Sequence, residues 1–181
     1  AEGDTSARFA FVDPPYYGYA EKFYAHLHPE AAVYDTLAAH RALVDHVIAA
    51  YPAGWAFCMT SGNLHDLLPL FPASARIAAW VKPFASFKKG VSPAYTWEPV
   101  VFQPAGRRHD LTRPTVRDHL SQGITLQRGL VGAKPEQFCR WVLHLLGWRP
   151  GDVVDDLFPG TGVMGRVVAR AADELDFGVS A

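Results

Sequence analysis

Asp13-Pro14-Pro15-Tyr16 and Asp156-Leu157-Phe158-Pro159-Gly160-Thr161-Gly162 are the segments of this chain whose residue types and spacing suit chemistry. Consecutive prolines stiffen the backbone after Asp13 and keep Asp13 extended, so its carboxylate and the Pro14 carbonyl aim at one point as hydrogen-bond acceptors. An exocyclic amine has two N–H donors. A fixed pair of acceptors would orient it and make its lone pair more available for attack on a methyl sulfonium, while Tyr16 offers a face for base stacking. In the later segment, glycines between a strand and a helix let the backbone approach a ligand, and free helix N–H groups face an anion. The ligand is expected to touch Gly160 and Gly162, with Asp156 at the strand end meeting a cofactor's amino group. Gly160, Gly162 and Gly165 complete only part of a dinucleotide fingerprint, because no acid follows about 20 residues later. The residue types also suit a capped Pro-Pro turn and a ligand-free strand-to-helix turn.

These segments need elements to hold them. Arg8 to Val12 is an apolar run ending abruptly in Asp13-Pro14-Pro15, as a buried strand does at its carboxyl end. Helical spacing of Leu37, Val44, Val47, Ile48 and Tyr51 predicts a helix from Tyr34 to Tyr51, closed by Pro52 and Gly54. Trp55 to Met59 and Arg76 to Val81 read as further core strands, with a short helix from Ser61 through Leu68 between them. The βαβα rhythm predicts a parallel sheet with helices on its faces. Thr96 to Gln103 is another strand, in which Pro99 suits an edge or an early position. Periodicity then vanishes, and about 103–133 reads as an irregular basic insert. Phe138, Trp141, Val142 and Leu145 mark an amphipathic helix that stops at Gly147. Asp152 to Phe158 reads as a buried strand and Val163 to Ala172 as the helix after the glycine turn.

A length of 181 residues suits a single domain over 1–181. With 49% hydrophobic and 19% charged residues the chain has a globular profile, which excludes the disordered class. A net charge of -1 excludes bulk attraction to a polyanion, so a nucleic acid would be held by a local patch. Cys58 and Cys139, at no metal or redox spacing, predict buried thiols in a reducing, cytoplasmic compartment. With no apolar run of about 18 residues and no signal-like start, the expectation is a soluble, unsecreted protein with no membrane partner. His26, His28, His40 and His46 lack zinc spacing, so no metal is assigned, and Trp80 and Trp141 read as core residues.

Taken together, the segments resemble the S-adenosylmethionine-dependent DNA amino-methyltransferases. Asp13-Pro14-Pro15-Tyr16 matches that family's [DNS]-P-P-[YFW] motif at every position, and Asp156, Phe158, Gly160 and Gly162 match its D-x-F-x-G-x-G motif. Trp97 to Phe102 looks like its late hairpin strand, and Gly132-Ala133-Lys134-Pro135 like the segment before its cofactor strand. The resemblance covers most of the chain, in the permuted motif order of the beta class. It implies an α/β fold with a Rossmann-like methyltransferase sheet, mostly parallel with a late antiparallel strand, circularly permuted and C-terminally shortened. Members continue past the glycine-loop helix to an acid that holds the ribose; here that acid is expected to be missing or displaced, and Glu174 and Asp176 read as surface acids.

The implied reaction is methyl transfer from S-adenosylmethionine to N6 of adenine in DNA. Asp13, Pro14, Pro15 and Tyr16 would be the catalytic segment, and Asp156, Phe158, Pro159, Gly160, Thr161, Gly162 and Lys134 the cofactor contacts. Cytosine C5 chemistry is set aside, because neither cysteine follows a proline. From Gln103 to Lys134, six basic residues (Arg107, Arg108, Arg113, Arg117, Arg128, Lys134) against Asp110 and Asp118 leave a local charge of +4. Phosphate contact is the expected use of these arginines, with Lys88 and Lys89 beside Phe84 and Phe87 as a second basic and aromatic loop. The target base would be flipped from a duplex or arrive single-stranded. With an insert of about 30 residues, sequence reading is expected to be limited or shared with a second copy or a partner subunit. The alternatives are a non-catalytic nucleic-acid-binding module of the same fold, or an enzyme acting on cytosine N4 in DNA or on adenine in RNA.

Overall fold

A computed structural model describes residues 6–24, 26, 29–83, 89–106, 115–124 and 133–176. In chain order its elements are β1 (Arg8–Val12), α1 (Ala20–Tyr24), α2 (Leu37–Ala50), β2 (Trp55–Cys58), α3 (Leu64–Leu67), β3 (Arg76–Val81), β4 (Trp97–Gln103), β5 (His119–Ser121), α4 (Glu136–Leu146), β6 (Val153–Asp156) and α5 (Val163–Asp176). Short 3-10 turns at Pro29–Asp35, Ser61–Asn63 and Leu68–Leu70 join them. Thr36 caps α2 by accepting from the Ala39 N–H, and Gly147 ends α4 in the left-handed conformation at φ 73.

The strands form one sheet in the order β5-β3-β4-β2-β1-β6. β1 pairs in parallel with β2 and β6, and β3 with β5, whereas β4 runs antiparallel to β2 and β3. Pro99 lies third in β4, opposite Ala79 of β3. Its carbonyl, which accepts from the Met59 N–H, points to where β2 has already ended, so the missing proline N–H costs that ladder little.

Alternation along the strands divides the core into two layers. Phe9, Phe11, Ala56, Cys58, Ala78, Trp80, Val100 and Phe102 face α4 and α5, packing on Phe138, Trp141, Val142, Met164 and Val167. Ala10, Val12, Trp55, Phe57 and Val101 face the other way, onto Val44 and Val47 of α2 and onto Leu67, Leu70 and Phe71. Buried side chains on both faces are what a parallel sheet between helices requires.

The insert is not wholly irregular as expected, since His119–Ser121 adds a strand to the edge of β3. Three residues are too few to show alternation, and the pairing depends on the long-range bonds Ala79 N–H to Asp118 C=O and Gln122 N–H to Val81 C=O. Trp80 and Trp141 are buried as expected, and their indole N–H groups donate to the carbonyls of Gln122 and Arg117, at 2.8 and 2.9 Å. Among the described residues no helix is long and apolar enough to cross a membrane.

Candidate active site at the sheet rim

The two chemistry-bearing segments meet because β1 and β6 are neighbours. Phe11 pairs with Asp156, and the Leu157 N–H donates to the Phe11 carbonyl at 3.0 Å, so both chains leave the sheet at the same rim. In a parallel α/β sheet this rim, at the carboxyl ends of the strands, is where ligands bind. β4 brings its amino end to the same rim because it is antiparallel: Trp80 pairs with Glu98 and Val81 with Trp97.

Around Asp13 the rim carries a cluster of charges. Lys134, 5% exposed at its side chain, places its ammonium 3.1 Å from Asp13 Oδ1 and 3.4 Å from Glu98 Oε2. The same ammonium donates to the Tyr16 hydroxyl at 2.9 Å, and that hydroxyl donates to Glu98 Oε2 at 2.7 Å. Lys82, just past β3, pairs with Glu98 Oε1. The Lys134 ammonium also lies 5.3, 5.7 and 5.9 Å from the ring centres of Tyr16, Trp80 and Phe138, which favours its charged form.

Burial and charge compete here. Burial pushes the Asp13 carboxyl above its usual range, more than the Lys134 charge draws it down, and Glu98 adds to the rise. For Glu98 burial is again the largest influence, but Lys134 and Lys82 outweigh it and hold the carboxylate below its usual range. Burial works against the Lys134 ammonium, yet Asp13, Tyr16 and Glu98 together keep it protonated well above the usual lysine range. Burial lifts both thiols, Cys58 well above its usual range and Cys139 to about 12, so both stay neutral.

The glycine segment is built differently. Asp156 Oδ1 accepts from the Phe158 N–H at 3.3 Å, and its carboxyl is pushed up to about 6, by burial first and also by Asp13. Gly160 and Gly162 take left-handed conformations, φ 47 and φ 71, which only glycine adopts without strain. A Cβ on Gly160 would meet only the Phe158 carbonyl, at 3.9 Å, and one on Gly162 only Arg166, at 3.5 Å, both ordinary contact distances, so neither position is tightly packed. Pro159 and Gly160 are exposed and Thr161 half-buried. Arg166 donates to the Thr161 carbonyl at 2.6 Å and ties the loop to α5. The Phe158 ring meets Tyr34 edge-on at 5.3 Å.

His40 packs against Tyr17, next to Tyr16, and against Tyr34, which meets Phe158. Its Nε2 is 2.9 Å from the Tyr34 carbonyl, and its ring contacts Tyr17 and Tyr34 edge-on. Burial holds its pKa below the usual histidine value.

Asp13, Pro14, Pro15 and Tyr16 thus stand beside Asp156, Phe158, Pro159, Gly160, Thr161 and Gly162, and Lys134 pairs with Asp13. Because Lys134 is buried, it adds nothing to the basic surface with which it was counted. Lys89 and Arg117 are exposed, whereas Lys88, Arg107, Arg108, Arg113 and Arg128, and the side chains of Glu174 and Asp176, lie outside the described residues. Glu98 and Lys82 were missed by sequence reasoning. The only signal for Glu98 was an acid inside an otherwise apolar strand, two residues from Val100 on the same face.

No protein-family model and no curated protein matches this chain. Its fold is similar to a solved structure described as the crystal structure of M1.HpyAVI-SAM complex, with a TM-score of 0.55 and 14% identity, over 92% of this chain and 79% of that one. The likeness and the six-stranded, mostly parallel sheet with antiparallel β4 give this chain a Rossmann-like methyltransferase fold.

Proposed function

We propose that this chain transfers a methyl group from S-adenosylmethionine to the N6 amino group of adenine in DNA. The observation that carries this reading is the meeting of Asp13-Pro14-Pro15-Tyr16 with the Asp156 to Gly162 loop at adjacent strand ends, Phe11 being paired with Asp156. The similar M1.HpyAVI structure was solved as a complex with SAM, which supports the same cofactor here.

The loosely packed turn at Gly160 and Gly162, the start of α5 and the Asp156 carboxylate fit a nucleoside cofactor. Asp156, Phe158, Pro159, Gly160, Thr161 and Gly162 would hold it. When bound, S-adenosylmethionine supplies an electrophilic methyl on a sulfonium. Asp13 and the Pro14 carbonyl accept the two N–H groups of the adenine amine and turn its lone pair toward the glycine loop. Tyr16 presents its ring to the base while its hydroxyl stays tied to Glu98 and Lys134. Positioning of this kind supplies much of the acceleration in a direct transfer. Lys89 and Arg117, both exposed, would contact phosphates together with Lys88, Arg107, Arg108, Arg113 and Arg128. The free, buried thiols of Cys58 and Cys139 suit a cytoplasmic enzyme.

Transfer of labelled methyl to DNA and RNA, followed by nucleoside analysis, tests the proposal. N6-methyladenine in DNA, absent with Asp13→Ala, supports it. Label in cytosine N4 or in RNA would move the substrate, equal incorporation by Asp13→Ala would refute the role of Asp13, and absence of both transfer and cofactor binding would leave a binding module.

A further inference from the structure

The function proposed above uses Asp13 and Tyr16 but assigns nothing to the ion pairs that hold them. Lys134 has three N–H donors, and three oxygens on separate side chains lie round its ammonium: Asp13 Oδ1 at 3.1 Å, the Tyr16 hydroxyl at 2.9 Å and Glu98 Oε2 at 3.4 Å. Glu98 closes the ring by accepting from Tyr16 and is held from its other side by Lys82. We propose that Lys134 and Glu98 are positioning residues that lock the Asp13 carboxylate and the Tyr16 ring into one fixed geometry for receiving the substrate amine.

The proposal rests on the methyl-transfer reading for its purpose, but its physical content stands on this cluster. Pro14 and Pro15 restrict the backbone between Asp13 and Tyr16 without fixing either side chain. An ammonium bonded to both does fix them. Lys134 meets Asp13 at Oδ1, and a carboxylate has about four lone-pair sites, so acceptor capacity remains for an incoming N–H. The ammonium's donors have these three oxygens as partners within the cluster. Two carboxylates against two ammonium groups also leave no net charge in the cluster, whereas removal of either partner strands a buried charge.

The groups that act on Asp13 come from several elements. Lys134 precedes α4 and favours the Asp13 carboxylate, whereas Glu98 on β4 disfavours it. Tyr16, Cys58 at the end of β2, Cys139 on α4 and Asp156 on β6 also feel the Asp13 charge. Removing Lys134 therefore raises the Asp13 pKa, and neutralising Glu98 lowers it.

The test is a carbon-13 NMR titration of the Asp13 carboxyl, assigned by its loss in Asp13→Asn, in the wild type, Lys134→Met and Glu98→Gln. The midpoint should rise by about 1 unit or more in Lys134→Met and fall in Glu98→Gln. Both variants should lower kcat at saturating cofactor while calorimetric affinity for S-adenosylmethionine stays within about 3-fold of wild type. A shift under about 0.3 unit in both variants, shifts of the same sign, or lost cofactor affinity in Lys134→Met with an unmoved midpoint would each overturn the proposal. If Lys134→Met does not fold, the near-isosteric Glu98→Gln decides alone: a fall in midpoint supports the frame and an unchanged midpoint rejects it. Absence of methyl transfer by the wild type would refute the functional reading, while the titration would still decide whether Lys134 and Glu98 hold Asp13.

Discussion

The halves of the candidate site sit on neighbouring strands and are built on opposite principles. Around Asp13 the geometry is set by side chains, with Lys134, Glu98, Lys82 and Tyr16 joined across segments that lie far apart in the chain. At the glycine loop it is set by the backbone, through Gly160 and Gly162 at positive φ, with exposed Pro159 and few side-chain bonds. The first half resists change because its charges are buried and mutually compensated. The second is shaped by two residues, Gly160 and Gly162, that carry no side chain. Under the proposed reaction the Asp13 frame would orient the amine and the glycine loop would receive the cofactor, a division of labour that suits transfer between two bound molecules.

The largest effect that would break this comparison is at Asp13. Asp13→Asn keeps the size and removes the charge, so single-turnover methyl transfer should fall by about 10²–10⁴-fold while calorimetric cofactor affinity moves by less than about 3-fold. A matching loss in affinity would show that the halves are not separate.

Next comes the backbone half. Gly162→Ala would force a left-handed conformation on a residue with a Cβ, at about 1–2 kcal/mol, and would place a methyl in the cradle. Affinity for S-adenosylmethionine should drop by about 10-fold or more in calorimetry, with the rate at saturating cofactor nearly unchanged.

Asp156 sharpens the contrast through pH. Its carboxyl is raised to about 6 in the folded chain, so its charged form opposes folding. The stability linked to its proton is present below the unfolded value of about 4 and is lost as pH rises through about 6. Without cofactor, Asp156→Asn should raise Tm by about 2–6 °C at pH 8 and leave it nearly unchanged at pH 4, as followed by thermal unfolding. The same variant should weaken cofactor binding at pH 8, as expected of a site that trades stability for function.

The smallest effect is expected at Arg166, which is exposed and whose side chain supports the loop through the Thr161 carbonyl. Arg166→Gln should change cofactor affinity by less than about 3-fold in the same calorimetry. A larger loss would show that this half also depends on side-chain ties.

Legibility followed the range of the interactions. Strands at Arg8 to Val12, Trp55 to Met59 and Arg76 to Val81 were readable because short apolar runs and Pro or Gly punctuation are local, and all three are present within a residue of the expected bounds. The stop of α4 at Gly147 was readable for the same reason. β5 was not, since a three-residue edge strand exists only through its pairing with β3. Lys134 was grouped with the surface arginines by proximity in sequence, although burial against Asp13 and Glu98 separates it from them.

By itself the sequence determined the two motif segments, the strand that precedes each and the glycines that turn the chain into α5, because these depend on backbone stereochemistry and short-range periodicity. Only the tertiary structure decided that Glu98 and Lys82 belong to the site. β4 runs against β2 and β3, so its amino end reaches the rim where the other strands finish, and Glu98 arrives opposite Trp80, within reach of Tyr16 and Lys134. Strand direction and sheet order are long-range choices of packing, and they turned scattered charges into a buried frame around Asp13.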